Sequence, residues 1–182
     1  MNVRPLIPDV ASILIHLAVY GAVVGVTGAG GGPIPALLLA AGLIWVSVVD
    51  FQRYIIPDAA VALLAAGGAF RIWQTGVDPL DPVLAAFVWP AAFWSVAAAF
   101  HRFRGMSGLG FGDVKLAGAL GLWVGLEGMV AVVLTASLGG IAVLLLGHAT
   151  GRVRRPVDAA AIAFGPYLCL SAWAVWLQGT GG

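Results

Sequence analysis

The sequence predicts an all-α membrane protein, a polytopic bundle of about seven transmembrane helices, from its composition, its apolar segments and its charge distribution. Of its 182 residues, 61% are hydrophobic and only 9% are charged, whereas a soluble domain usually carries about 25% charged residues. These charged groups are too few to cover the surface of a globular protein. We therefore expect lipid to act as the solvent. The length suits a single membrane domain, residues 1–182, with roughly six to eight spans.

The apolar segments follow one another with short breaks between them. They cover approximately residues 11–28, 35–49, 59–74, 82–100, 114–126, 129–148 and 159–177. The first resembles a signal peptide because Arg4 precedes it, but it is long and continues into a second span, so we expect a retained helix. Glycine and proline, which form turns, mark the breaks at 28–35, 56–58 and 76–82. The fifth segment is the shortest, and Glu127-Gly128 is expected to divide it from the sixth.

The charge distribution tests this segment count and orients the bundle. Seven spans place the N-terminus and the loops at 50–58, 101–113 and 149–158 on one side, together with eight of the nine basic residues. The other side holds only Arg71. Merging the fifth and sixth spans would reduce the split to five against four. By the positive-inside rule, the side with the N-terminus is therefore predicted to be cytoplasmic.

Two acidic residues, Asp50 and Asp113, lie at the cytoplasmic ends of predicted spans. An acid in a membrane helix costs roughly 2.5–3.5 kcal/mol at the bilayer centre and less near the edge. Two such acids suggest a catalytic carboxylate pair that shares one proton, because like charges close together do not both ionise cheaply. The ionised partner would take a proton from water, and the protonated partner would polarise a scissile carbonyl. Because the pair titrates as a unit, neither role is assigned to one acid, and this chemistry requires no metal or cofactor.

The residues around Asp113 suit a substrate that approaches closely. Gly110 and Gly112 remove side chains beside the acid, so the backbone is free and a substrate strand can come near. The loop lacks the Gly-Lys-Ser/Thr ending of a nucleotide-binding loop. In the alternative interpretation, Asp113 only caps the fifth helix. Lys115, two residues further on, could stabilise carboxylate charge or contact lipid phosphate.

The stretch 50–58 reads Asp-Phe-Gln-Arg-Tyr-Ile-Ile-Pro-Asp. Asp50 could simply pair with Arg53 at a helix end, which is the alternative to a catalytic role. Pro57 stops a helix from running through and fixes the turn. We expect Asp58 to cap the third helix.

Three motifs in order resemble those of the type IV prepilin peptidases and the related preflagellin peptidases, which are polytopic aspartyl proteases of the Gly-x-Gly-Asp class. The first is Asp50 with the Ile-Pro-Asp run at 56–58, and the second is the Gly-Phe-Gly-Asp-Val-Lys-Leu run at 110–116. The third, Phe-Gly-Pro-Tyr-Leu at 164–168, contains Gly165 and Pro166 and resembles the family's Phe-Gly-Pro-Phe motif. Ala163 stands where proline is common. The resemblance covers roughly residues 37–176.

The resemblance implies a membrane endopeptidase that removes a short basic leader from pilin-like precursors at the cytoplasmic face of the prokaryotic inner membrane. Asp50 and Asp113 would be its catalytic acids, with the precursor and membrane lipid as partners and no cofactor. Longer family members carry a cytoplasmic insertion with paired Cys-x-x-Cys motifs and also methylate the new N-terminus. Here Cys169 is the single cysteine, so we expect peptidase activity alone. Pilus and secretion branches both stay open.

Two other classes of protein would also place acids in membrane helices. A proton-coupled transporter would use Asp50 and Asp113 as a relay, and a non-catalytic scaffold would use them as helix caps. The distance between the carboxylates discriminates, because a peptidase needs them within a few ångströms of each other or able to close to that distance. Acids held on opposite sides of the bundle would favour the scaffold. The basic cluster Arg152, Arg154 and Arg155 is explained by topology and anionic lipid, so no nucleic acid partner is expected.

Overall fold

The computed structural model describes residues 10–27, 33–105, 109–150 and 163–179. All regular structure in these ranges is helical, which confirms the all-α prediction. The six helices are α1 (Val10–Thr27), α2 (Pro33–Arg53), α3 (Asp58–Thr75), α4 (Leu80–Arg104), α5 (Phe111–Ala149) and α6 (Gly165–Gly179). Among the described residues, α2, α4 and α5 contain stretches long and apolar enough to cross a membrane by length and composition.

Helix α5 is interrupted at Gly125, which has φ 71° and ψ −173°. Only glycine adopts this region readily, because a side chain there collides with the backbone. The predicted division at Glu127-Gly128 is therefore wrong by two residues, since both of these residues are helical and the break precedes them. The sequence pattern indicated where hydrophobicity is lost, at Glu127-Gly128. The backbone instead turns at Gly125, because glycine tolerates the positive φ.

The chain reverses direction at this break. Helices α5 and α6 start at the same end of the bundle, where Gly112 lies against Ile56 and Gly165 lies against Asp50. At the other end, Trp123 meets Trp176 with ring centroids 6.0 Å apart. Beyond Gly125 the chain returns along α6: a Cβ added at Gly128 would lie 3.4 Å from Val175, and one added at Gly139 would lie 3.5 Å from Tyr167. The two halves of α5, residues 111–124 and 126–149, therefore run in opposite directions.

Helix α6 forms much of the core because it packs against α1, α2 and α5. Trp173 stacks on Trp176 with ring centroids 5.6 Å apart, and the Trp173 indole donates a hydrogen bond to the Tyr20 carbonyl at 3.1 Å. The Trp123 indole donates to the Leu64 carbonyl at 2.8 Å. These buried aromatic side chains join four helices and provide a rigid support for the start of α6.

The first half of α5 packs closely on α4 through small residues. A Cβ added at Gly121 would lie 2.7 Å from the Ala85 backbone, and one added at Gly118 would lie 2.9 Å from Pro90 Cγ. Small residues allow such close helix packing in membrane proteins. On the outside, large apolar side chains such as Phe87 and Leu138 are well exposed. A surface of this kind agrees with the expectation that lipid is the solvent.

Candidate active site

Two buried carboxylates lie at the same end of the bundle, on helices that are distant in sequence. Asp50 lies three residues before the end of α2, and Asp113 is the third residue of α5. Their exposed fractions are 5% and 9%, and Ser47 is the third buried polar residue in the described part of the chain. Asp50 lies against Gly165, and Ile56 in the turn after α2 lies against Gly112, the residue before Asp113. Both acids that the sequence singled out therefore lie at the same end of the bundle. Burial of such groups is costly unless neighbouring groups compensate for it.

The two acids have different surroundings. Asp50 Oδ2 accepts a hydrogen bond from the backbone N–H of Gly165 at 3.0 Å. Asp113 Oδ1 is buried and has no hydrogen-bond partner among the described residues, while Asp113 Oδ2 faces Gly110, where an added Cβ would lie 3.1 Å away. A buried carboxylate oxygen without a partner is uncommon in folded proteins. It provides an acceptor for a water molecule or a substrate group.

The start of α6 explains the hydrogen bond to Asp50. The first N–H groups of a helix have no partner within the helix, and Gly165 is the first residue of α6. Its N–H is therefore available to a carboxylate from another helix. The third sequence motif thus lies beside Asp50, with Pro166 next to Gly165. Neither composition nor spacing indicated this hydrogen bond, because it joins residues 115 positions apart.

The turn after α2 places the first motif against the start of α5, which carries the second. Tyr54 has φ 56°, and its N–H donates to the Asp50 carbonyl at 2.8 Å. Ile56 is buried against Gly112, where an added Cβ would lie 3.0 Å from Ile56 Cβ. Gly112 therefore has a packing role, because a side chain there would push Ile56 away from the residue preceding Asp113.

Asp58 does not cap α3, so this prediction is wrong. Pro57 occupies the N-cap position without a side-chain hydrogen bond, as expected for a residue that ends one helix and precedes the next. Asp58 instead forms an ion pair with Lys115. Lys115 also lies 5.5 Å from the centroid of the Phe111 ring. The sequence analysis did not foresee this partner, because the two residues belong to different helices.

Asp113 is not the N-cap residue of α5, because that position is Gly110. As the third residue of the helix, Asp113 turns its carboxylate back toward Gly110, where an added Cβ would lie 3.1 Å from Oδ2. The interpretation in which Asp113 stabilises the start of α5 therefore remains a prediction, as does its catalytic role. Lys115 lies two residues after Asp113, roughly 200° around the helix, so its side chain points away from that carboxylate and toward α3.

Ser47 is a buried residue near the acids that the sequence analysis missed. It lies one helical turn before Asp50, and its Oγ is 3.1 Å from the Tyr20 hydroxyl. A single serine within an apolar segment carries no pattern that singles it out. Its position indicates that the Tyr20–Ser47 pair holds α1 against α2 near the carboxylates.

Other features of the described residues lie away from the acids. A cavity of about 550 Å³ is lined by Arg71, Asp81 and Trp123 at the opposite end of the bundle. The described residues contain no group of three or more His, Cys, Asp or Glu side chains suited to a metal ion. The basic cluster Arg152, Arg154 and Arg155 lies outside the described residues.

Comparison with known proteins identifies the family that the three sequence motifs resemble. The sequence profile of the type IV leader peptidase family matches residues 37–145. The chain is 34% identical over 154 residues to a prepilin leader peptidase/N-methyltransferase of Burkholderia pseudomallei, covering 84% of this chain and 49% of the relative. It is 34% identical over 151 residues to the same-named protein of Aeromonas salmonicida, covering 82% and 51%.

A third relative with that name, from Xanthomonas campestris pv. campestris, is 33% identical over 177 residues, which cover 96% of this chain and 58% of the relative. The chain spans about half the length of the curated relatives it matches. No solved structure matches the chain. Because the family profile covers more than half of the sequence, including Asp50 and Asp113, the chain belongs to the type IV leader peptidase family.

Proposed function

We propose that this protein is a membrane aspartyl endopeptidase that removes the short basic leader from prepilin-like precursors. The observation that carries the proposal is the burial of two carboxylates, Asp50 and Asp113, from separate helices at the same end of the bundle. Membership of the type IV leader peptidase family supports the substrate class. The N-methyltransferase activity for which these relatives are also named is not part of the proposal.

The chemistry follows from a carboxylate pair that shares one proton. The ionised acid takes a proton from a water molecule, whose oxygen adds to the scissile carbonyl carbon. The protonated acid polarises the carbonyl oxygen, and a proton then passes to the leaving amine as the peptide bond breaks. Gly165 holds Asp50 in place through its N–H, and Asp113 Oδ1 is available to the water or the carbonyl group.

We further propose seven membrane crossings with the N-terminus on the cytoplasmic side of the prokaryotic inner membrane. The reversal at Gly125 supports this count, because the two halves of α5 then cross separately. Arg53 and Arg102 lie toward the end of the bundle that carries the acids, and Arg71 lines the cavity at the other end. By the positive-inside rule, the end of the bundle that carries the acids then faces the cytoplasm. This is the side on which the basic leader of the precursor would lie, just before the precursor's apolar helix.

A transporter or a scaffold accounts less well for this arrangement. A proton relay needs acids spaced along a path through the bundle, whereas Asp50 and Asp113 both lie at one end. A scaffold role as helix caps does not explain why Asp113 Oδ1 is buried with no hydrogen-bond partner among the described residues.

The proposal is tested by co-expression with pilin-like precursors and by measuring loss of the leader as a mass difference. We expect Asp50→Asn and Asp113→Asn each to abolish cleavage, because an amide neither shares the proton nor activates water. Membrane insertion of both variants should match the wild type. The matched control is Asp78→Asn, since Asp78 is exposed and its side-chain oxygen still accepts the Leu80 N–H. Wild-type cleavage by either Asp50→Asn or Asp113→Asn would remove that acid from the mechanism.

A further inference from the structure

We propose that the ion pair between Asp58 and Lys115 is a clamp that holds the segments carrying Asp50 and Asp113 in register, which makes Asp58 and Lys115 positioning residues for the cleavage reaction. The inference rests on the proposed peptidase function. It assigns a role to the contact between Asp58 of the first motif and Lys115 of the second. Neither motif indicated this contact by itself.

The helices that carry the acids depend on their neighbours for their relative position. Helix α2 packs against α1, α3 and α6, and α5 packs against α3, α4 and α6. Helices α3 and α6 are therefore the two elements that both share. At α6 the link is the Gly165 N–H, which binds Asp50. At the start of α3 the link is the Asp58–Lys115 ion pair.

A short chain path connects Asp58 to the first acid. The N–H of Tyr54 donates to the Asp50 carbonyl, Ile56 packs against Gly112, and Pro57 restricts the backbone just before Asp58. Few freely rotating bonds remain between Asp50 and Asp58. When Lys115 holds Asp58, the turn is held against the first residues of α5, next to Asp113.

The direction of Lys115 excludes a direct role on the neighbouring acid. Two residues along a helix correspond to roughly 200° of rotation, so Lys115 and Asp113 lie on opposite faces of α5. The Asp58 side chain is 82% exposed and that of Lys115 is 34% exposed. Such exposed pairs contribute little to global stability. We therefore expect the pair to affect the geometry of the acids more than the melting temperature.

Charge substitutions test the clamp in purified protein reconstituted into lipid vesicles with a pilin-like precursor. We expect Asp58→Ala and Lys115→Ala each to lower kcat by about tenfold or more, because small displacements of catalytic groups are costly, while KM stays unchanged. The exchanged variant Asp58→Lys/Lys115→Asp restores the pair and should recover most of the activity. Glu127→Gln, an exposed acid at the far end of the bundle, is the matched control and should cleave like the wild type.

A covalent link provides a second measurement in case the exchanged variant does not fold. In Asp58→Cys/Lys115→Cys, a short bifunctional thiosulfonate reagent should restore cleavage, and subsequent reduction should remove it again. Cys169 is buried and should not compete for the reagent. Cleavage that is unchanged by linking would overturn the clamp.

Three further results would overturn the clamp while leaving the peptidase proposal intact. One is wild-type kcat in both alanine variants. Another is loss of activity in Lys115→Ala alone, which would mean that the lysine acts without Asp58. The third is a rise in KM at constant kcat, which would assign the pair to leader binding. Failure of the peptidase proposal would be seen separately, as cleavage by Asp50→Asn or Asp113→Asn.

Discussion

At the scale of single residues, the candidate site depends on glycines that let other groups approach the acids. Gly165 supplies an N–H to Asp50, and a Cβ at this position would lie 2.7 Å from Asp50 Oδ2. Gly112 allows Ile56 to pack beside Asp113. The absence of a side chain at these two positions therefore leaves room for the groups that surround the acids.

We expect Gly165→Ala to lower precursor cleavage by up to about 100-fold, because the added methyl group displaces Asp50 and small misplacements of catalytic groups are costly. The atom that must move is the end of a side chain, so the fold should persist. The measurement is kcat together with the melting temperature. Gly140→Ala is the control, since an added Cβ there would meet no atom within 4 Å. Full activity of Gly165→Ala would show that the position of Asp50 is not restricted by α6.

At the scale of helices, the reversal within α5 requires its own hydrogen bonds. Both carboxylate oxygens of Asp81 lie 3.3 Å from the N–H of Leu126, just after Gly125. The Trp89 indole donates to the Leu126 carbonyl at 3.3 Å. Backbone groups freed by a break in a membrane helix must find partners in the protein. Helix α4 thus supplies the groups that make the turn possible.

Asp81→Ala should lower the free energy of unfolding by roughly 0.5–2 kcal/mol, the range for loss of a side-chain acceptor at a helix start. Asp81→Asn retains one acceptor oxygen and should lose less. Thermal unfolding in detergent micelles measures both effects. Equal stability of the alanine variant and the wild type would mean that the Leu126 N–H finds another acceptor at no cost.

At the scale of the whole molecule, the bundle has two chemically different ends. One end carries the two buried carboxylates, the Asp58–Lys115 ion pair and the starts of α3, α5 and α6. The other end carries the cavity lined by Arg71, Asp81 and Glu127. If the seven-span arrangement is correct, these ends face opposite sides of the membrane.

Cysteine labelling in intact cells tests this arrangement. An impermeant thiol reagent should label Glu127→Cys from outside the inner membrane, and should label Arg102→Cys and Thr150→Cys only after the membrane is opened. Each of these positions is exposed, and the native Cys169 is buried. Labelling of Glu127→Cys and Thr150→Cys from opposite sides supports the reversal at Gly125. Labelling of both from the same side would contradict it.

Much of this architecture was predictable from the sequence. The low charge content and apolar segments predicted a helical membrane protein, and the short motifs singled out Asp50, Asp113 and Gly165 together with their family. Such features are local or compositional, so they can be read along the chain. The capping role predicted for Asp58 was wrong because capping rules consider only the residue's own helix.

The tertiary structure alone decided which of these residues meet. Asp58 and Lys115 are 57 positions apart, and Asp50 and Gly165 are 115 apart. No local pattern specifies such pairs, since they follow from how the helices pack. Likewise, hydropathy indicated a division near residue 127, but the turn occurs at Gly125, where positive φ is tolerated and Asp81 from α4 binds the next free N–H. Composition and local sequence patterns thus determined that the chain is a helical protein with lipid as its solvent. The packing of the helices determined which distant residues are in contact.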